Sequence, residues 1–406
     1  MSFQTGLSGL NAASRNLDVI GNNIANANTI GAKVARAEFS EIIAASTIAN
    51  SGNAEGIGVE VATVSQQFTQ GAINVTGSNL DIAINGSGFF RVTLPDGSTA
   101  YTRAGEFKLD TEGYVVTNAK AKLMGYPTTA DGVATSSTLQ TMKLPTSSPI
   151  PARATTSITA EFNVNAAAPV WNTPIPNTPL TTYGTALNVF DSQGSEIPTS
   201  IYMRKTANDT WEVFTDPTDD ASATATLAAT LTFDVDGLLL NSVPAVPTIT
   251  ATSQNATIGT FTPELILTNA TQFATAFAVT DLTQDGYGAG NFVALSIGDN
   301  GVISGRYSNG QVQAAGQIAL ADFRNVQGLR SSANGNWVET VDSGQPIIGT
   351  PSVGKFGSLR SGALEESNID LTNELVNMMT AQRTYQANAQ TIKTQDQVLS
   401  TLTQLR

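Results

Sequence analysis

Three groups of residues in this 406-residue chain have types and spacing from which chemistry is often built. Asp342-Ser343-Gly344 is half of the loop pair with which an acid protease lets two carboxylates share one proton. The other candidate half, Asp191-Ser192-Gln193-Gly194, carries an extra residue, and Asp-Ser-Gly is ordinary turn chemistry. Asp216, Asp219 and Asp220 form an acidic run without the alternating ligands and terminal Glu of a calcium loop, so they read as a solvated loop. Gly286, Gly288 and Gly290 match neither a phosphate-cradling loop nor a dinucleotide fingerprint. There is no Cys and no His, which removes disulfides, Cys or His metal ligands and every Ser–His or Cys–His nucleophile pair. No catalytic, cofactor-binding or metal-binding constellation is expected, and the chain reads as a non-enzyme.

What remains is pattern rather than chemistry. At the start, Phe3, Leu10, Leu17 and Ile24 recur every seven residues, with Leu7 between them. At the end, Leu371, Met378, Tyr385, Ile392 and Leu399 do the same, with Leu375 and Ala389 between them. No Gly or Pro interrupts residues 363–406. Two helices are therefore expected, over 3–27 and 371–405, the second ~52 Å long at 1.5 Å per residue. Asn22–Asn28 with Gly31 supplies the end of the first. Asp370, alone or boxed with Ser367, supplies the cap of the second. Polar Ser14, Gln382, Asp396 and Thr403, with Gly21, interrupt the seams, which a dedicated two-stranded coiled coil rarely tolerates. The apolar stripes either pack on the chain's own body or face other copies of it.

Between the helices the apolar period is two. Residues 33–49 are alanine-rich and read as partly helical, but Val59, Val61 and Phe68 open β-structure, and 80–92 reads as strand, turn and strand. Asp96-Gly97, Glu112-Gly113 and Asn300-Gly301 mark hairpins. Seven prolines fall between 145 and 180, as at a domain boundary. After them, 187–205, 210–217 and 225–240 read as successive strands of one sheet, and 285–291 is expected to resume the earlier register. The fold class is thus α+β, mainly β, nested in three parts. The terminal helices with their connecting segment are 1–70 and 360–406. A discontinuous β-rich domain is 71–144 with 285–359, and an inserted β-rich outer domain is 145–284.

Charge follows the same plan. Only 13% of residues are charged, against the usual ~25%. Of the net −13, −9 lies in 145–284, as suits a solvated outer face, while the ends are nearly neutral, as suits packed subunits. No basic patch exists for nucleic acid. No apolar run is long enough to span a bilayer, and the N-terminus lacks the basic and apolar regions of a cleavable secretory signal.

The stretch NLDVIGNNIANANTIGAK (16–33), with Asn16, Leu17, Asp18, Gly21, Asn22, Asn23 and Asn26, closely resembles the signature of the bacterial flagellar axial proteins, the rod and hook subunits. Residues 362–406 look like that family's tail, and 79–92 and 101–117 are similar to its shared core domain. The long insert after Gly125-Tyr126-Pro127 points to the hook branch. The resemblance implies a structural subunit that self-assembles into a helical tube, the flexible joint between rod and filament. Terminal helices would form the inner layer, with Phe3, Leu7, Leu10, Leu17, Ile24, Leu371, Leu375, Met378, Tyr385, Ile392 and Leu399 in contacts between copies. It also implies export, uncleaved, through the flagellar type III apparatus. The implied partners are the distal rod protein, the hook cap protein and the hook–filament junction protein, with no cofactor. A distal rod subunit with an unusual insert, or a surface adhesin with axial-type ends, are the alternatives.

Overall fold

A computed structural model describes residues 3–43, 56–145, 149–171, 183–215 and 226–404. The acidic run Asp216–Asp220 and the prolines at 174, 176 and 179 lie outside them. The chain divides into two compact units, one of residues 1–147, 294–306 and 312–406, the other of 148–293 with 307–311.

In the first unit, helix α1 spans Phe3–Ala25 and helix α2 spans Leu371–Gln404. At the end of α1 the N–H of Asn26 reaches the carbonyls of Asn22 and Asn23, both at 3.1 Å, and Gly31 takes φ 70°. At the start of α2, Asp370 Oδ1 accepts the N–H of Thr372 at 2.9 Å and of Asn373 at 3.2 Å. Ser367 does not close a capping box with it, because its hydroxyl accepts the N–H of Ile369 instead.

The expected helical character of 33–49 is not observed over 33–43, and 44–49 lie outside the described residues. Strand β1, Ala35–Ile43, runs antiparallel to strand β2, Gly56–Gln66, with Ala35 opposite Gln66. The physical reason is alternation: Arg36, Glu38 and Ser40 take one side, and Ala35, Ala37 and Phe39 the other. That period outweighs the helix propensity of the alanines.

Beyond the hairpin the first unit is a β-body. Phe89–Thr93 and Thr99–Thr102 form a hairpin around Asp96-Gly97, where Gly97 adopts φ 85° and Asp96 Oδ1 accepts the Ser98 N–H. The chain's return passes zip onto its early strands. Ile82–Asn85 pairs with Ser358–Ser361, and Ile73–Val75 with Ala363–Glu365. Ile82, Ile84, Phe90, Val92, Leu123, Ile303, Ile318 and Leu320 fill the core. An aromatic cluster of Phe89, Tyr101, Phe323 and Trp337 sits beside it. Phe68, just past β2, packs edge-on against Phe89 and Trp337, both at 5.5 Å, and so ties the hairpin's base to the body.

The second unit contains a five-stranded antiparallel sheet in sequence order, Gly184–Phe190, Glu196–Ala207, Thr210–Thr215, Thr226–Phe233 and Leu239–Val243. A second sheet centres on Ser157–Asn165, whose Ile158, Ala160, Phe162 and Val164 alternate inward. Trp211 is fully buried and donates its indole N–H to Gln272 Oε1 at 2.9 Å. Residues 285–291 run with this unit and do not resume the earlier register. The backbones of Tyr287 and Arg153 exchange hydrogen bonds, both 2.9 Å, which holds the segment to the insert's entry.

Candidate assembly surface

The two terminal helices pack together along a seam of small residues. On α1 the buried positions are Gly6, Ala12, Ala13, Ile20 and Asn23, and on α2 they are Glu374 and Ala381. A Cβ on Gly6 would stand 3.1 Å from Ile392 Cγ1, and one on Gly9 would stand 2.9 Å from Asn388 Nδ2. Close approach of two backbones is what these glycines permit.

The seam shares the seven-residue period of the apolar stripe but not its register. Gly6, Ala13 and Ile20 lie three positions beyond Phe3, Leu10 and Leu17. The hairpin covers another side of α1: Ser8 Oγ accepts the N–H of Val59, and Asn23 exchanges hydrogen bonds with the backbone of Ala35 at 2.7 and 2.9 Å. At 100° per residue, Phe3, Leu7 and Gly21 fall on neither side, Leu10 and Leu17 border the seam, and Ile24 falls in line with Gly6. Phe3 and Leu7 are exposed, Leu10, Leu17 and Ile24 are half-buried, and a Cβ on Gly21 would meet nothing within 4 Å.

On α2, Ile392 is half-buried in the seam and Met378 is half-buried beside it, whereas Leu371, Leu375, Tyr385 and Leu399 are exposed. Leu371 and Leu375 form a short apolar row with Val376 and Met379 on one side of the first turns, 47 to 53% exposed, while Tyr385, Val398 and Leu399 are exposed on other sides of the helix. Five threonines of α2, 380, 384, 391, 394 and 401, donate their hydroxyls to carbonyls four residues back. They therefore show methyl groups outward with no hydroxyl left seeking a partner. A groove of about 770 Å³ between α1, the hairpin and α2 is lined by Ala12, Ala13, Val19, Phe39 and Asn377 among others.

The Asn-rich motif is used largely within the chain. Asn23 also donates to Glu374 Oε2 at 3.2 Å, and Asn26 Nδ2 donates to the carbonyl of Asn22 at 2.9 Å. Asn16 lines the groove, while Asp18 and Asn22 are exposed.

Sequence reasoning missed the neck where helices, hairpin and body meet. There Glu365 is fully buried with Lys33 and Arg103, and Asn368 Oδ1 accepts the N–H of Val34 while its amide donates to Gln67 and Thr69. Burial pulls the Lys33 ammonium below the ordinary lysine range, against the opposing pull of Glu365. The available signal was Lys33 itself, the lone charge between Asp18 and Arg36.

Nothing at these sites has the form of a reaction centre. Asp342-Ser343-Gly344 is a turn in which Ser343 Oγ accepts the N–H of Thr340, and Asp191 caps its own turn through the N–H groups of Gln193 and Ser195. Among the described residues no helix is long and apolar enough to cross a membrane.

Comparison with known proteins identifies the family. Residues 3–33 match the flagella basal body rod protein family, and 83–164 match the flagellar hook protein FlgE/F/G D1 domain. Residues 163–287 match the flagellar basal body protein FlaE D2 domain, and 360–405 the flagellar basal body rod FlgEFG protein C-terminal region. The flagellar hook protein FlgE of Escherichia coli (strain K12) is 42% identical across all of both chains. That of Borreliella burgdorferi is 32% identical over 100% of this chain and 99% of its own. The crystal structure of Helicobacter pylori flagellar hook protein FlgE2 covers 72% of this chain and 100% of its own, with a TM-score of 0.53 at 15% identity, and so shares the fold. The chain belongs to the flagellar hook protein family, whose members are structural components of the bacterial flagellum and not enzymes.

Proposed function

We propose that many copies of this chain polymerise into the tube of the hook, with α1 and α2 as its inner layer and the unit built on 145–284 as its outer one. The observation that carries this reading is the apolar row of Leu371, Leu375, Val376 and Met379, which one chain leaves exposed on the first turns of a helix of 34 residues. A solitary helix of this composition gains little from propensity and most from packing, so the row calls for a partner. A second copy supplies one with matching chemistry: the half-exposed stripe of Phe3, Leu7, Leu10 and Leu17, and the small-residue groove beside it. Contacts of this head-to-tail kind extend into an open helix when their rotation does not close a ring, which is how one subunit makes a tube.

In this reading the chain is partitioned as 1–70 with 360–406, 71–144 with 285–359, and 145–284. It leaves the cell uncleaved through the flagellar type III exporter, docks on the distal rod protein, grows beneath the hook cap protein, and meets the hook–filament junction protein at its far end. The tube then transmits torque while bending, because methyl-faced contacts slide more readily than contacts with paired polar groups.

The test is expression in hook-deficient cells of the wild-type chain and of Leu375→Glu. The wild type should restore hooks and swimming. The variant should reach the medium as monomer without building hooks. Normal hooks from the variant, or a wild-type chain retained inside the cell, would contradict the reading.

A further inference from the structure

Charged residues are scarce in this chain, so three that converge out of water need a reason. The Glu365 side chain is fully buried, and its two oxygens collect three donors from separate stretches of chain. Oε1 accepts from Lys33 Nζ at 2.5 Å and from the backbone N–H of Gly71 at 3.0 Å, and Oε2 accepts from an Arg103 guanidinium nitrogen at 3.0 Å. Lys33 lies in the turn after α1, Gly71 on the chain leaving β2, and Arg103 in the β-body. Glu365 itself ends the strand that leads to α2. Each cation has a second anchor, Lys33 on the carbonyl of Thr69 at 2.8 Å and Arg103 on that of Gly86 at 3.0 Å.

The packing there has no slack. A Cβ on Gly31 would stand 2.6 Å from the nitrogen of Ala104, and one on Gly71 would stand 2.0 Å from the carbonyl oxygen of Glu366. Two buried cations around one carboxylate are a poor choice for stability alone, since apolar side chains of similar volume commonly hold a site as well or better. What such a cluster does well is reject wrong arrangements. If either helical arm slips against the body, a charge is left buried without its partner.

We propose that the Lys33–Glu365–Arg103 node keys both terminal helices to the β-body in a single register, and thereby sets the pitch and curvature of the polymer. The inference rests on the reading that the chain polymerises.

The experiment assembles purified full-length chains and measures tube pitch and curvature by electron microscopy. The variants are Glu365→Gln, Arg103→Lys and the apolar triple Lys33→Met, Arg103→Met, Glu365→Met. Glu365→Gln strands two cations and should raise the concentration needed for assembly at least tenfold. The triple variant should still form tubes, but with a broad, mixed distribution of pitch. Arg103→Lys keeps every charge and loses the guanidinium's second grip on Gly86, so it should broaden the distribution to a smaller degree. Wild-type pitch and curvature in the triple variant would overturn the proposal. If the triple variant fails to fold, Arg103→Lys decides, and a wild-type distribution from it is the overturning result. A wild-type chain that forms no tubes would overturn the polymer reading, and this inference with it. Tubes whose shape ignores the node overturn the inference alone.

Discussion

Ile392 of the C-terminal helix lies over Gly6 of the N-terminal helix, so near that a Cβ on Gly6 would stand 3.1 Å from Ile392 Cγ1. One pair thus joins residues from the two ends of the chain, 386 positions apart, and sets how closely the helices approach. Further along, Asn388 over Gly9 and Glu374 with Asn23 complete the seam.

Substitution of Gly6 should therefore depend on size. Gly6→Ala gains roughly 1 kcal/mol of helix propensity and asks Ile392 to yield a few tenths of an ångström, so its assembly should stay close to wild type. Gly6→Leu forces three further carbons into a closed seam, at a cost of about 1–3 kcal/mol. Its critical concentration for assembly should rise ten- to a hundredfold. Equal behaviour of the two variants would show that the seam is not tight.

Gly21 tests the face of α1 beside the seam. Within one chain nothing lies within 4 Å of a Cβ there, so Gly21→Ala and Gly21→Leu should leave the monomer's melting temperature unchanged or slightly raised. If another copy's helix passes over it, assembly should fall from Gly to Ala to Leu. Sedimentation of each variant measures this, and indifference to size would remove Gly21 from the interface.

Tyr385 is 37% exposed at the margin of the α1–α2 seam, between Met378 and Ile392. In Tyr385→Asp, an assembled interface would have to bury an unpaired carboxylate, at several kcal/mol per subunit. If other copies alone cover Tyr385, the monomer should melt as wild type while sedimentation shows no polymer. A clearly lowered monomer melting temperature would instead mean that Tyr385 serves its own chain.

The insert should be acid-sensitive through Asp191. Hydrogen bonds from the Ser253 hydroxyl, at 2.7 Å, and from the N–H groups of Ser195 and Gln193 hold this buried carboxyl below the usual range, outweighing its burial. A depressed folded pKa stabilises the fold above the unfolded carboxylate range, and the contribution is lost as pH falls through the folded value. Wild type should exceed Asp191→Asn in melting temperature at pH 6, and the gap should close as pH falls below about 4. A gap that widens on acidification would contradict this.

Much of the architecture was legible because it follows periods. The helices, the hairpin turns and the ordered strands of the insert all announce themselves through spacing and turn residues. The register of the helix seam did not, because Gly6, Ala13 and Ile20 repeat every seven residues as Phe3, Leu10 and Leu17 do. Scoring by hydrophobicity favours the bulky set, whereas backbone proximity selects the small one. β1 was obscured by alanines, whose helix propensity competes with a short polar–apolar alternation. The neck was hidden for a different reason. Lys33, Arg103 and Glu365 are far apart in sequence, and no local pattern shows that three charges share one buried point.

The central claim is that the exposed apolar row of α2 is covered by other copies of the chain. Electron cryomicroscopy of tubes assembled from the purified full-length protein tests it most directly, at a resolution that shows side chains. The account predicts α1 and α2 on the inner layer, with Leu371, Leu375, Val376 and Met379 each packed against a neighbouring subunit. Tubes in which that row faces solvent, or whose contacts run through residues 145–284 alone, would contradict it.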